Sequence, residues 1–245
     1  MTTVVILSGG QDSTTCLVWA IEQCGKKNLR AVTFSYSQRH SKEIIAAAYI
    51  AKKLQVDHLV FPIPLLWSTS PLISANSLDQ YGEPSELPGG VERTFIPCRN
   101  ILFLTLAANY GLVSEQTDPR EVDLVIGVSE ADYGGYPDCR EAFIDYMCDT
   151  LNQGIFGHFG RRSTGGELIR ILTPLINKTK KDIVLLAKEL GCLDLMADTW
   201  TCYAGEKVPC RKCHACMIRE RGFLDAGIPD PLIVRLGLPW PPAWS

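Results

Sequence analysis

The stretch SGGQDSTT, Ser8 to Thr15, sits directly behind the apolar run from Thr3 to Leu7. A continuous run of this kind reads as a strand buried on both faces, and Ser8 to Ser13 as a tight polar turn into a helix ending near Cys24. Gly9 and Gly10 let the backbone come close to a ligand. The unpaired N–H groups of the first helical turn and the positive end of the helix dipole favour an anion there, phosphate or pyrophosphate. The loop is not a Walker A loop, because G-x-x-x-x-G-K-[ST] has no match and no lysine follows the glycines. For S-G-G alone a plainer reading stays open, a strand-to-helix turn with Asp12 or Ser13 as N-cap.

Outward from this loop the same rhythm repeats. Leu29 to Phe34 and Asp57 to Ile63 read as strands around a helix from Ser41 to Leu54. Arg99 to about Leu112 is expected to be a helix, Val122 to Val128 a strand, Arg140 to Asn152 a helix, Leu168 to Leu172 a fifth strand and Lys180 to Leu190 a helix. Such alternation predicts a parallel α/β sheet. Between Pro64 and Glu92 the pattern gives way to Ser, Pro and Gly, and a substrate lid is expected there. The expected divisions are residues 1–198 as the nucleotide-binding α/β domain, 199–232 as a small metal-binding element and 233–245 as a Trp/Pro-rich tail. Tryptophans in that tail are expected to pack on a neighbouring surface, such as another subunit.

Composition narrows the class. The 245 residues are 46% hydrophobic and 21% charged, with 24 basic against 27 acidic side chains and a formal charge of −3. This describes an ordinary globular chain, without the basic footprint of a nucleic-acid binder. No direct nucleic-acid partner is expected. The apolar stretches fall short of a bilayer span and the first residues run straight into TVVIL, so no membrane partner is expected and a cytoplasmic location is. Ten cysteines in such a chain do not read as a disulfide framework. Four of them, Cys202, Cys210, Cys213 and Cys216, fall within fifteen residues as C-x7-C-x2-C-x2-C. That is metal-ligand spacing, and four thiolates predict one closed, structural Zn2+ site with His214 turned away.

Taken together, several stretches carry a family likeness. SGGxDS behind an N-terminal strand resembles the PP-loop of the ATP pyrophosphatases, the adenine-nucleotide alpha-hydrolase-like fold. TFSYSQRH, TFIPCRNILFL, GVSEADYGGYPDCR, TPL with a lysine-bearing helix, and TCYAGEKVPCRKCHACMIRERGF then occur in the order seen in the 7-cyano-7-deazaguanine synthases. The resemblance runs from Val4 to about Pro231. It implies a doubly wound α/β fold with a small zinc-binding C-terminal element, and a homodimeric ligase that uses ATP to convert 7-carboxy-7-deazaguanine and ammonia to the nitrile preQ0. Paralogues in DNA modification or antiviral defence, and PP-loop tRNA thiolases with Cys98 or Cys139 as sulfur carrier, are the alternatives. The family more often shows TFDYGQRH and PGRN where this chain has Ser35, Ser37 and Cys98.

A carboxylate is a poor electrophile, so the implied chemistry activates it as an acyl adenylate, lets ammonia form the amide, and activates the amide again to lose its oxygen. The residues expected around ATP are Leu7, Ser8, Gly9, Gly10, Gln11, Asp12, Ser13 and Thr14, with Arg39 and His40 toward ribose or phosphate. Asp12 is expected to help hold Mg2+, and Lys180 and Arg99 to stabilise transition-state charge. The deazaguanine is expected to meet Arg99, Asn100, Glu130, Asp132, Tyr133, Tyr136, Asp138 and Arg140. For Lys180 and Arg99 a solvated charge at a helix start is the bland alternative, and for the tyrosines simple packing.

Overall fold

The computed structural model describes residues 1–36, 38, 41–64, 70, 72–73, 94–113, 121–130, 136–157 and 168–242. Five strands form one sheet: β1 (Thr2–Ile6), β2 (Leu29–Ser35), β3 (Asp57–Pro62), β4 (Glu121–Val125) and β5 (Leu168–Leu172). All pairings are parallel, in the order β3-β2-β1-β4-β5. From β1 the chain winds out to β3, then returns to lay β4 on the other side of β1. The carboxyl ends of β1 and β4 therefore flank the point where winding reverses, the place where open α/β sheets leave a crevice.

Alternation within β1 divides the core. Val4 and Ile6 face a cluster with Phe103, Leu104 and Ala107 of α3 (Arg99–Leu112) and Ile144 of α4 (Glu141–Phe156). Val5 and Leu7 face Cys16 and Leu17 of α1 (Gln11–Cys24), Ala47 and Ile50 of α2 (Lys42–Lys53), and Ile183 of α5 (Lys180–Glu189). Both faces of the central strand are thus covered, which is why it reads as unbroken apolar sequence.

The metal-ligand segment is built onto this sheet. After a 3-10 turn at Leu193–Asp198, the chain runs past Trp200 to the cysteines, then forms α6 (His214–Asp225) and α7 (Pro231–Arg235). Phe223 of α6 is fully buried against Val18 of α1 and Val184 of α5, and Trp240 packs on the same cluster. The tryptophan at 240 thus packs on its own chain. Arg219 is buried and fixes the turn at Asp230 with two bonds of 2.6 and 2.8 Å. The same guanidinium donates to Thr199 Oγ1 at 2.7 Å and to the Met196 carbonyl at 2.9 Å. Asp230 in turn caps α7 through the Leu232 N–H.

Candidate active site and metal centre

The helix after the glycine loop begins at Gln11, earlier than Asp12 or Ser13 acting as N-cap would allow. Gly10 holds the cap position and no side chain caps it. The hydroxyls of Ser13 and Thr14 instead donate back to the Gly10 carbonyl, at 3.2 and 2.8 Å. The first N–H groups of α1 are thereby left for a ligand at the positive end of the helix. Gly9 cannot be replaced here: its φ is +88°, and a Cβ would lie 2.1 Å from the Glu43 carbonyl oxygen. The loop is pressed onto the first turn of α2 from one side. From the other, Trp200 N–H donates to the Gly9 carbonyl at 2.9 Å.

A cavity of about 230 Å³ opens at the carboxyl ends of β1 and β4. Ser8, Gly10, Gln11, Asp12 and Ser13 form one wall, with Leu7 beneath. Lys180, the first residue of α5, reaches across with its ammonium 2.5 Å from Asp12 Oδ2. It is 5% exposed, so the solvated helix-start reading fails for this lysine. Close packing explains its position, since a Cβ on Gly222 of α6 would sit 2.6 Å from Lys180 Cβ. The metal-bearing segment thus presses on both the loop and the lysine.

The opposite wall is aromatic. Phe34 and Phe103 stack at 4.4 Å between centroids, Tyr36 lies 5.5 Å from Phe103, and Tyr136 lies 5.6 Å from Phe95. Tyr36 and Tyr136 line the cavity, as do Arg99 and Asn100. Burial pushes the Tyr36 hydroxyl up, with Arg99 bonded to it and opposing that shift. For Arg99 itself burial acts downward, but Tyr36 and Asp138 outweigh it and keep the guanidinium charged.

Several buried polar atoms here have no protein partner: both ends of the Gln11 amide, Asp12 Oδ1 and Arg99 Nε. Each such atom costs about 1–3 kcal/mol if nothing meets it, so their gathering around one cavity fits a polar ligand. Asp12 Oδ1, an unpaired hard oxygen beside the anion-binding turn, fits a magnesium ion that accompanies phosphates. Glu43 also lines the cavity, its carboxyl pushed up to about 7 by burial, against the pull of Arg99 and with a further push from Cys202.

Other expected residues lie elsewhere. Thr14 is buried behind the loop, and Gly9 serves packing. Asp138 sits behind the wall, its carbonyl accepting from Asn100 Nδ2 at 3.1 Å and its carboxyl raised by burial despite Arg99. Glu130 accepts from the Glu141 N–H at the start of α4, and Arg140 is exposed. Arg39, His40, Asp132 and Tyr133 fall outside the described residues, as does most of the expected lid. Cys139 is at the cavity wall, but burial, reinforced by Asp138, pushes its thiol up to about 12. A thiol held protonated at neutral pH is a poor sulfur carrier. Tyr36, Glu43, Phe103 and Trp200 were not foreseen. For Tyr36 the signal was position, because TFSYSQRH ends a strand next to the glycine loop, and nothing local marks the other three.

The four cysteine sulfurs lie within 4.8 Å of one another. Zinc–sulfur bonds of 2.3 Å in a tetrahedron place sulfurs about 3.8 Å apart, so the cluster fits a tetrahedral ion with little adjustment. The chain has also prepared the charge. The N–H groups of Cys210 and Ala204 donate to Cys202 Sγ at 3.2 and 3.4 Å, and Cys213 N–H to Cys210 Sγ at 3.3 Å. The thiols of Cys213 and Cys216, then these N–H groups, hold the Cys202 sulfur well below its ordinary range, as a thiolate.

Comparison with known proteins follows the same residues. The family model described as queuosine biosynthesis protein QueC matches residues 2–227. A 7-cyano-7-deazaguanine synthase of Gloeobacter violaceus is 45% identical over 234 residues, covering 94% of this chain and 94% of that protein. Those of Laribacter hongkongensis and Chromobacterium violaceum are 40% and 39% identical, covering 95% of this chain in each case and 94% and 93% of theirs. With a glycine loop, a cross-cavity lysine and a four-cysteine centre inside one matched span, the chain belongs to the QueC family of queuosine biosynthesis proteins.

Proposed function

We propose that this protein is a ligase forming carbon–nitrogen bonds, a 7-cyano-7-deazaguanine synthase that converts 7-carboxy-7-deazaguanine and ammonia to the nitrile at the expense of ATP. The match of nearly the whole chain to synthases of that name carries the reading, and the cavity supports it. Pyrophosphate is held by the uncapped start of α1, with Lys180 countering charge that grows on the phosphates. The aromatic wall of Tyr36, Phe103 and Tyr136 suits a flat heterocycle, and Arg99 a carboxylate or the adenylate made from it.

When bound, magnesium neutralises phosphate charge; Asp12 is the residue that would hold it. Zinc is the proposed ion for Cys202, Cys210, Cys213 and Cys216, one structural ion per chain, which anchors Trp200 against the loop. No helix among the described residues is long and apolar enough to cross a membrane. A cytoplasmic location and a homodimer belong to the same proposal. The test is incubation with ATP, magnesium, ammonium and 7-carboxy-7-deazaguanine, followed by mass spectrometry. Nitrile is the expected product, and an adenylate that persists in the presence of ammonium would favour a paralogue with another acceptor.

A further inference from the structure

Five charged side chains stand on the described wall of the cavity: Asp12, Lys180, Arg99, Arg219 and Glu43. Four are engaged. Asp12 and Lys180 hold each other at 2.5 Å, Arg219 is closed on Asp230, and Arg99 is bonded to Tyr36. Glu43 has no hydrogen bond or ion pair among the described residues, although Arg99 is near enough to act on it by charge. Its neighbour Lys42 lies with its ammonium 4.2 Å from the centre of the Trp200 ring. The groups acting on Glu43 are thus Arg99 from α3 and Cys202 from the metal segment.

A carboxylate without a hydrogen-bonded or ion-paired partner is costly in a cavity whose other occupants are anions. In its ionised form Glu43 repels ATP, the carboxylate substrate and the adenylate formed from it. The one cationic reactant of the proposed reaction is ammonium, the form that ammonia takes in neutral water. We infer that Glu43 is the ammonium subsite, where its carboxylate binds the cation and takes the proton that must leave before nitrogen can attack. This rests on the synthase reading given above. Ammonium transfers one proton to Glu43 and becomes ammonia; the nitrogen lone pair forms the C–N bond at the acyl carbon. The C–O bond to the adenylate then breaks with AMP taking the electron pair, and a second proton leaves nitrogen for solvent, giving the amide.

Steady-state kinetics of Glu43→Gln test the assignment, because that change keeps shape and removes charge. The KM for ammonium is expected to rise tenfold or more, with the KM values for ATP and the acid within twofold of the unaltered protein. Hydroxylamine, neutral at the same pH, is expected to be used by both proteins equally. Conversion of supplied amide to nitrile consumes no ammonia and is expected to survive, and Glu43→Asp to recover part of the ammonium affinity. An unchanged ammonium KM in Glu43→Gln, or an equal loss in the amide-to-nitrile step, would overturn the subsite alone. If the unaltered protein makes no nitrile from acid or amide, the synthase reading falls and the subsite with it.

Discussion

Cys98 shows how a single departure from a family pattern acquires a physical meaning. It precedes α3 with φ +65°, in the left-handed region that favours glycine, the residue of the PGRN pattern that the resemblance brings to this position. An L side chain there costs about 1–2 kcal/mol, while glycine adds about 0.5–1 kcal/mol of entropy to the unfolded chain. Cys98→Gly is therefore expected to raise unfolding free energy by about 0.5–1 kcal/mol, read from denaturant midpoints; a loss of stability would mean that the cysteine makes contacts outweighing its strain. His58 carries a pH signal. Thr33 Oγ1 donates to the Leu7 carbonyl at 2.5 Å and so must accept from His58 Nε2, at 2.7 Å. Burial lowers the imidazole's pKa, with Asp57 opposing. Below about pH 6.5 the unfolded chain binds the proton first, so this contribution is complete above that pH and is lost as pH falls toward the lower folded value. Titrating stability from pH 7.5 to 5 should show the loss in the wild type and a flatter slope in His58→Gln.

At the scale of elements, the cysteine segment behaves as a brace for the nucleotide loop. Trp200 bonds to Gly9, and α6 fixes the start of α5 and with it Lys180. Structural zinc sites are worth on the order of 10–16 kcal/mol in peptides, against about 5–15 kcal/mol for a whole domain. Chelation is expected to change Trp200 fluorescence, lower the thermal midpoint and weaken ATP binding together, with zinc restoring all three. Intact ATP affinity in the metal-free protein would separate the two sites. The strands and major helices were legible because short, mostly apolar runs such as Val4–Leu7 and Ala31–Phe34 alternate with the longer helical stretches of α2 and α5. The start of α1 was misplaced, since Asp12 and Ser13 are good caps by residue type and only the back-bonding of Ser13 and Thr14 to Gly10 shows otherwise. Ligand spacing alone announced the cysteine centre. Nothing local could announce Glu43 or Arg219, which reach the cavity through packing between segments distant in sequence.

On the scale of the whole molecule, one sheet reversal creates one crevice, and the loop, Lys180, the aromatic wall and Glu43 all converge on it. The central claim is that this single cavity activates first the acid and then the amide, each time releasing AMP. AMP released per nitrile formed, measured by chromatography with acid and separately with amide as starting material, tests it most directly. Two AMP per nitrile from the acid and one from the amide are expected. One AMP per nitrile from the acid, or failure to use the amide at all, would contradict a double activation in this cavity.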